Sequence, residues 1–442
     1  MPSLCLPQEK EICQYSFSRA QRVFPGGVNS PVRACKAVGI TPPVVASAQG
    51  YTIVSADGRE FVDFCCSWGS LIHGHAHPNT VSAVSAALGL GTSYGLTSCQ
   101  EIRFAELLLS IPECSDCQVR FVSSGTEAAM TAVRLARGIT RRQIIVKFVG
   151  GYHGHADVLM KDSFIEDIVE GRVDKSFLWG DFPLLSVHYN DVNGLRTCME
   201  LFKDQIAAII VEPIAANMGL IAPTEEFVKE INTSCRKYGC LLVTDEVVTG
   251  YRLKAGGIAE ILGWSPDIRV FGKIIGGGFP VAAIMARKEL MEYLSPQGQV
   301  FQAGTLSGNP IAMVAGYVSV QACLGPSFYS NLSVASETLL EPIRSLILRR
   351  SLPVQLVSEG SMFGFFFLDS PVTNLEMASS CDINKFSLFY RNVFDLGIYL
   401  SPSPFEVNFI SAAHDLPALE MASEKICRAL LQTFDTNSMD IA

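Results

Sequence analysis

No stretch of the 442-residue chain reaches about 18 uncharged apolar residues, the length an α-helix needs to cross the hydrocarbon core of a bilayer, so no membrane span is expected. The longest apolar region, 206–223, is broken by Glu212 and Asn217. Runs of Lys and Arg are missing too. The formal charge is −9, and affinity for a phosphate backbone rests on clustered cations, so nucleic acid is not an expected partner. Charged residues make up only 17% against 48% hydrophobic, a balance that suits a packed globular protein and excludes a disordered one. The opening segment MPSLCLPQEKEICQYSFSRAQRVFPGG mixes acids, amides and bases around no apolar centre and does not read as a signal peptide. Fourteen cysteines without an export signal then imply reduced thiols and a cytoplasmic location. A second C-x-x-C is also lacking, so the single pair Cys114/Cys117 reads as incidental thiols rather than a zinc or redox site. His73, His75 and His77 alternate in HGHAHP, but no carboxylate cluster is adjacent and the flanking Gly and Pro favour a turn over a metal site.

The chain carries no internal repeat, and its texture changes twice. The first 60 residues are rich in Gly and Pro, with a hairpin-like YTIVSADGREFVDF (51–64) turning at Asp57-Gly58. From about residue 118, short β-branched runs alternate with helical spacing. QVRFVSS (118–124), QIIVKFV (143–149), IAAIIVE (206–212), LLVTDE (241–246) and VAAIMA (281–286) are near-continuous apolar runs, as expected for strands buried on both faces of a mostly parallel sheet. Between them EEFVKEINTSCRKYG (225–239) has helical spacing and ends in glycine. This is an α/β pattern. After about residue 320 helices and isolated strands mix, giving an α+β texture. The expected division is an N-terminal segment 1–64, a large domain 65–320 and a small C-terminal domain 321–442.

Four elements, each at the C-terminal end of an expected strand, gather the residues with chemistry, and such ends are where ligand sites collect in open α/β sheets. Ser123-Ser124-Gly125-Thr126-Glu127 runs from a strand straight into a helix. Its hydroxyls and N–H groups suit an anion, although Ser124 is equally an ordinary N-cap. Tyr152-His153-Gly154-His155 places an aromatic at a strand exit, for stacking on a flat ring or for plain packing. Asp245-Glu246 ends an apolar strand, where a buried acid needs a partner, and a cationic heterocycle nitrogen is one. Lys273 lies in the uncharged, glycine-rich FGKIIGGG segment, 28 residues after Asp245. Burial lowers a lysine's pKa and makes its amine a nucleophile able to form a Schiff base. The spacing excludes a Walker A loop. QAGTLSGNP (302–310) adds a further loop suited to phosphate.

These motifs resemble, in order, the class-III aminotransferase group of fold-type-I pyridoxal-phosphate enzymes, over nearly the whole chain from about Phe24 to the last helix. The matching stretches are FPGGVNSPVR (24–33), SWGS (67–70), GHAHP (74–78), SGTEA (124–128), YHGHAD (152–157), TDEVVTGYR (244–252), GKIIGGGFP (272–280) and QAGTLSGNP (302–310). FPGGVNSPVR, the extended QAGTLSGNP and SPFE (403–406) point within the group to its aminomutase branch.

The resemblance implies a large domain on a mostly parallel seven-stranded sheet and a smaller α+β C-terminal domain. It implies pyridoxal 5′-phosphate as cofactor, cycling through its pyridoxamine form, with Lys273 as the Schiff-base lysine and proton shuttle. Asp245 would pair with the ring nitrogen, and Val247 and Tyr152 would sandwich the ring. Ser124, Gly125 and Thr126 would hold the phosphate, joined by Thr305 from across a homodimer. Ser30, Arg33 and Trp68 would surround the substrate carboxylate. The implied reaction is conversion of (S)-4-amino-5-oxopentanoate to 5-aminolevulinate, at the head of tetrapyrrole synthesis. A 4,5-diaminovalerate that stays bound removes any need for a second substrate. One physical feature agrees with a mutase. A transaminase acting on ordinary α-amino acids needs a cation for the α-carboxylate, whereas YLSPSPFEVNF offers Glu406 and no arginine. Glu406 would then accept a hydrogen bond from a substrate amine, or it is simply a solvated loop acid.

The chain departs from the group's pattern at Ser70, Ser123, Phe301 and Pro404. It departs most in 158–191, a bulky, charged stretch in place of a glycine-rich gating loop, which implies imperfect closure and escape of the diamine. The alternative within the group is an ω-amino-acid or diamine transaminase with an external acceptor. A non-catalytic protein that kept the scaffold is the alternative outside it.

Overall fold

The computed structural model describes residues 15–111, 116–160 and 183–434. Cys114 and most of the 158–191 segment, including all of its charges from Lys161 to Asp181, lie outside the described residues, and so do the expectations that rest on them.

Fourteen strands are numbered in chain order: β1 Val45–Gln49, β2 Thr52–Ser55, β3 Glu60–Asp63, β4 Cys117–Val122, β5 Ile144–Phe148, β6 Leu184–Val187, β7 Ile206–Val211, β8 Leu241–Asp245, β9 Ile268–Phe271, β10 Ala282–Arg287, β11 Gln355–Glu359, β12 Met362–Phe366, β13 Ile398–Tyr399 and β14 Asn408–Phe409. The five apolar runs become β4, β5, β7, β8 and β10 of a central sheet in the order β4-β10-β9-β8-β7-β5-β6, to which β6 and β9 add two strands not read from the sequence. β5 to β9 pair in parallel, while β10 runs antiparallel to both β4 and β9. The alternation of a strand's side chains splits each run between two cores. Ile144, Val146, Ile209, Val211 and Leu242 meet the helices Val192–Phe202 and Glu225–Tyr238 on one face. Ile145, Ile210, Val243 and Val270 meet the alanine-rich helix Gly125–Thr140 on the other. Complete burial on both faces is why these strands read as unbroken apolar runs.

The helix 225–238 shows how local chemistry sets bounds. Thr224 caps its start by accepting from the Phe227 N–H, Glu225 and Glu226 sit at the positive end of the helix dipole, and Gly239 leaves it at φ 64°.

The hairpin β2–β3 forms as the sequence implies, with Gly58 at φ 84°. Its far edge was not legible: β13, from the C-terminal segment, joins β3 in parallel, pairing Ile398 with Val62 and Tyr399 with Asp63. The first and last segments therefore close one sheet, β1-β2-β3-β13, and share a core in which Phe61, Phe64, Leu339, Phe363, Phe389 and Ile426 are buried. A three-stranded sheet β11-β12-β14 carries the loop before Asn408 towards the central sheet. Among the described residues no single helix is long and apolar enough to cross a membrane.

Candidate active site

The four strand ends converge. After β4 the chain enters the Gly125–Thr140 helix, with Ser124 accepting the Glu127 N–H through its Oγ at 3.2 Å, so the N-cap reading of Ser124 holds. The leading N–H groups of Gly125 and Thr126 have no acceptor within the helix, the usual condition of a helix start and the basis of anion binding there. The loop after β5 leans on this start. His155 donates its N–H to Thr126 Oγ1 at 3.3 Å, and a Cβ on Gly154, at φ 89°, would lie 2.5 Å from Thr126 Cα. Only glycine lets the loop come so close.

Asp245 ends β8 almost fully buried. Its Oδ2 lies 2.8 Å from His153 Nδ1 and its Oδ1 accepts the Val247 N–H at 3.0 Å. With the carboxylate ionised, His153 carries its proton on Nδ1 and donates. The neighbouring Glu246 points the other way, accepting from Thr249 Oγ1 and from the N–H groups of Ile258 and Ala259. Burial raises its carboxyl to about 7. The Asp245-Glu246 pair therefore splits between the site and a backbone cage.

Lys273 follows β9 at the head of a short 3-10 turn, in left-handed backbone at φ 48°. Such a conformation is costly for a residue with a Cβ, by roughly 1–3 kcal/mol, and is kept where surroundings impose it. Its ammonium is pushed below the ordinary lysine range, chiefly by desolvation, against the pull of Glu406, Glu212 and Asp245. Glu406, half-buried in the loop before β14, is pushed above the usual carboxylate range by burial and by Glu212, while Lys273 opposes the shift. Val247 sits between two glycines. A Cβ on Gly125 would lie 3.3 Å from Val247 Cγ2, and one on Gly272 would lie 3.2 Å from its Cγ1. One side chain thus packs at once on the helix start and on the lysine turn. Tyr152 is 51% exposed and free to offer a ring face, its phenol shifted upward by burial and then by Glu406.

The other candidates rest on less regular backbone. Cys66, Ser67, Trp68 and Gly69 have φ of 47°, 52°, 60° and 84°, a full left-handed turn in which three residues carry a Cβ. Arg252, 1% exposed, holds it: Nη2 donates to Gly69 O at 2.6 Å, Nη1 to Ile410 O at 3.0 Å, and the guanidinium lies 5.1 Å from the Phe409 ring. It has no carboxylate partner among the described residues, and desolvation lowers it to about 10. Trp68 is half-buried, and the adjacent Cys65 thiol, driven up by burial, feels both the Trp68 backbone and Glu406. Ser30 is half-buried at the start of the 3-10 turn Pro31–Ala34, and Arg33, exposed, acts on Tyr399 beside Cys65. Thr305 is not brought to Lys273 by any contact within the chain. It is exposed on the wall of a separate cleft of about 530 Å³, with Ser93, Tyr94, Leu96 and Thr97 opposite. The three histidines of HGHAHP turn to separate partners, His73 to Ser319 O, His75 to Asp63 and His77 to Thr80.

Sequence reasoning missed His153 as the partner of Asp245, although it lies in the quoted YHGHAD, and missed Arg252 in TDEVVTGYR. It also passed over Glu212, which is 4% exposed and whose carboxylate binds the Tyr152 N–H. The signal was available: a lone acid closing a six-residue apolar strand.

A desolvated lysine, a buried carboxylate fixed by a histidine, a helix start with free N–H groups and a valine seated between two glycines make a cradle for a flat, phosphorylated, cationic heterocycle. Residues 35–407 match the class-III aminotransferase family. A glutamate-1-semialdehyde 2,1-aminomutase from Chlamydia pneumoniae is 48% identical over 96% of this chain and 97% of its own length. One from Chlamydia trachomatis is 47% identical over 95% and 98%. Among solved structures, an omega-transaminase from Sphaerobacter thermophilus superposes with a TM-score of 0.84 at 29% identity, over 94% of this chain and 96% of that one. A glutamate-1-semialdehyde-aminomutase from Pseudomonas aeruginosa superposes at 0.81 and 21% identity over 94% and 93%, a likeness of fold.

Proposed function

The chain belongs to the class-III aminotransferase family, and we propose that it is an isomerase that moves an amine within glutamate 1-semialdehyde, (S)-4-amino-5-oxopentanoate, to give 5-aminolevulinate for tetrapyrrole synthesis. Pyridoxal 5′-phosphate is its cofactor. When bound, the cofactor supplies a carbon that carries an amine and a ring that withdraws electrons from the carbon losing a proton.

The residues divide the work as follows. The N–H groups of Gly125 and Thr126, with the Ser124 hydroxyl, hold the phosphate. Asp245, kept in place by His153 and the Val247 N–H, would face the ring nitrogen and keep it protonated. Val247 and Tyr152 would hold the two faces of the ring. The Lys273 amine, held low by desolvation, is the nucleophile that anchors the cofactor and then moves protons between the two substrate carbons. Glu406 accepts a hydrogen bond from a substrate amine, where an enzyme of ordinary α-amino acids needs a cation. Ser30, Arg33 and Trp68 bind the substrate carboxylate.

The exposed wall carrying Leu96, Phe301, Leu306 and Thr305, with Leu96 82% exposed, is the face through which two copies pair. In the homodimer Thr305 completes the partner's phosphate site. The body 65–320 carries the cofactor residues, the described parts of 1–64 and 321–442 share one core of their own, and the protein works in the cytoplasm. The observation that carries the reading is Glu406, an acid whose charge acts on the Lys273 amine from the loop where an enzyme of ordinary α-amino acids needs a cation. Purified protein given (S)-4-amino-5-oxopentanoate alone is expected to release 5-aminolevulinate. Formation instead of 4,5-dioxopentanoate with glutamate, and only when 2-oxoglutarate is added to take the amine, would make it a transaminase.

A further inference from the structure

Glu212 closes β7, the middle of the parallel strands, and its carboxylate is buried where no Lys or Arg pairs with it among the described residues. Stranding a charge this way is expensive unless hydrogen bonds replace the lost water. Three do. Oε1 accepts the Tyr152 N–H at 3.1 Å, and Oε2 accepts the Ala216 N–H at 2.8 Å and Asn217 Nδ2 at 2.9 Å. All three donors lie on loops rather than in the strand ladder, one after β5 and two after β7. Gly151 marks how tightly the loops close over the acid: a Cβ there would lie 3.3 Å from His153 Nε2 and 3.6 Å from Glu212 Oε1. The acid therefore grips the stretch Tyr152-His153, whose first residue offers the ring face and whose second fixes Asp245 at 2.8 Å. Glu212 touches neither substrate nor reacting atoms; it acts through its neighbours.

We propose that Glu212 is the positioning residue that sets the angle of the cofactor ring, by locking Tyr152-His153 on one side and Asn217 on the other with a single carboxylate. The inference rests on the reading above that the ring lies between Tyr152 and Val247. An amide cannot replace the acid. Whichever way Gln is turned, its NH₂ faces an N–H donor, so either Tyr152 or the Ala216/Asn217 pair loses its acceptor. Leaving one buried donor without its acceptor is expected to loosen the loop by about tenfold.

The test is the induced circular dichroism of pyridoxal phosphate added to the full-length apoprotein, together with its dissociation constant. The Glu212→Gln protein is expected to bind the cofactor about tenfold more weakly, with an induced band less than half as strong. Asn217→Ala, which removes one donor and leaves the acid in place, should shift the band in the same direction by less. A Glu212→Gln protein with an unchanged band and affinity but a lower unfolding temperature would make Glu212 merely structural and overturn the proposal. Should Glu212→Gln fail to fold, an unchanged band in Asn217→Ala would overturn it instead. If the unsubstituted protein develops no induced band at all, the cofactor site fails rather than the role of Glu212.

Discussion

Two sides of the candidate site are built differently, one wall from strand ends and the other from a left-handed turn. Asp245, Val247, Lys273 and the 124–126 helix start each follow directly from a strand of the central sheet, so their places are fixed by a ladder buried on both faces. Trp68 stands on four successive residues at positive φ, held by a buried arginine that reaches across to Ile410. On the first wall the backbone is relaxed, apart from Lys273 itself, and the chemistry lies in the side chains. On the second the backbone is strained and has to be held from outside. Substitutions should therefore separate: on the strand-end wall they should lower the rate with little loss of stability, and on the strained wall they should lower stability first.

The largest expected effect is at Asp245. Asp245→Asn keeps the shape and the Val247 contact but loses the negative charge, and removing one preorganised electrostatic contact costs about 10²–10³ in kcat. Steady-state kinetics beside a melting curve check this. A near-normal rate, or a large fall in melting temperature, would break the contrast between the walls.

Next comes Gly69→Ala. Its φ of 84° and the Phe409 ring, whose Cε1 would lie 2.6 Å from the new Cβ, leave no room for the methyl group. Loss of roughly 1–3 kcal/mol of stability is expected, measured by denaturant unfolding, with cofactor binding retained. Weak binding with normal stability would place Gly69 on the cofactor wall instead.

The smallest expected effect is at Arg33. Arg33→Lys keeps the charge but loses the planar fork, so KM for the semialdehyde should rise several-fold while kcat falls less. An unchanged KM would remove Arg33 from the substrate site.

The same contrast explains what could be read before the fold was known. Apolar runs with a polar residue at the exit are strong signals: they marked five of the seven sheet strands and the strand end at Asp245, while Lys273 was marked by its uncharged, glycine-rich segment. The antiparallel course of β10 and the pairing of β13 with β3 depend on contacts between distant segments, which no local pattern encodes. His153 and Glu212 were visible as letters, yet their roles come from bonds that span 92 and 60 residues of chain. Glu212 in particular reads as an interruption of an apolar stretch until its three donors are seen. The left-handed turn at 66–69 has no glycine before its last residue and so gave no sign of itself. The atypical segment 158–191 lies mostly outside the described residues.

The central claim is that Lys273 is the lysine that anchors the cofactor. The described residues include another buried lysine, Lys147, inside β5 and 5% exposed, with its amine donating to Leu159 O at 3.3 Å. Reducing the cofactor-loaded protein with borohydride and mapping its peptides distinguishes them. The expected result is a single pyridoxyl label on Lys273, absent from a Lys273→Ala protein that still binds the cofactor through its phosphate. A label on Lys147 or any other lysine, or one that survives the substitution, would contradict the account.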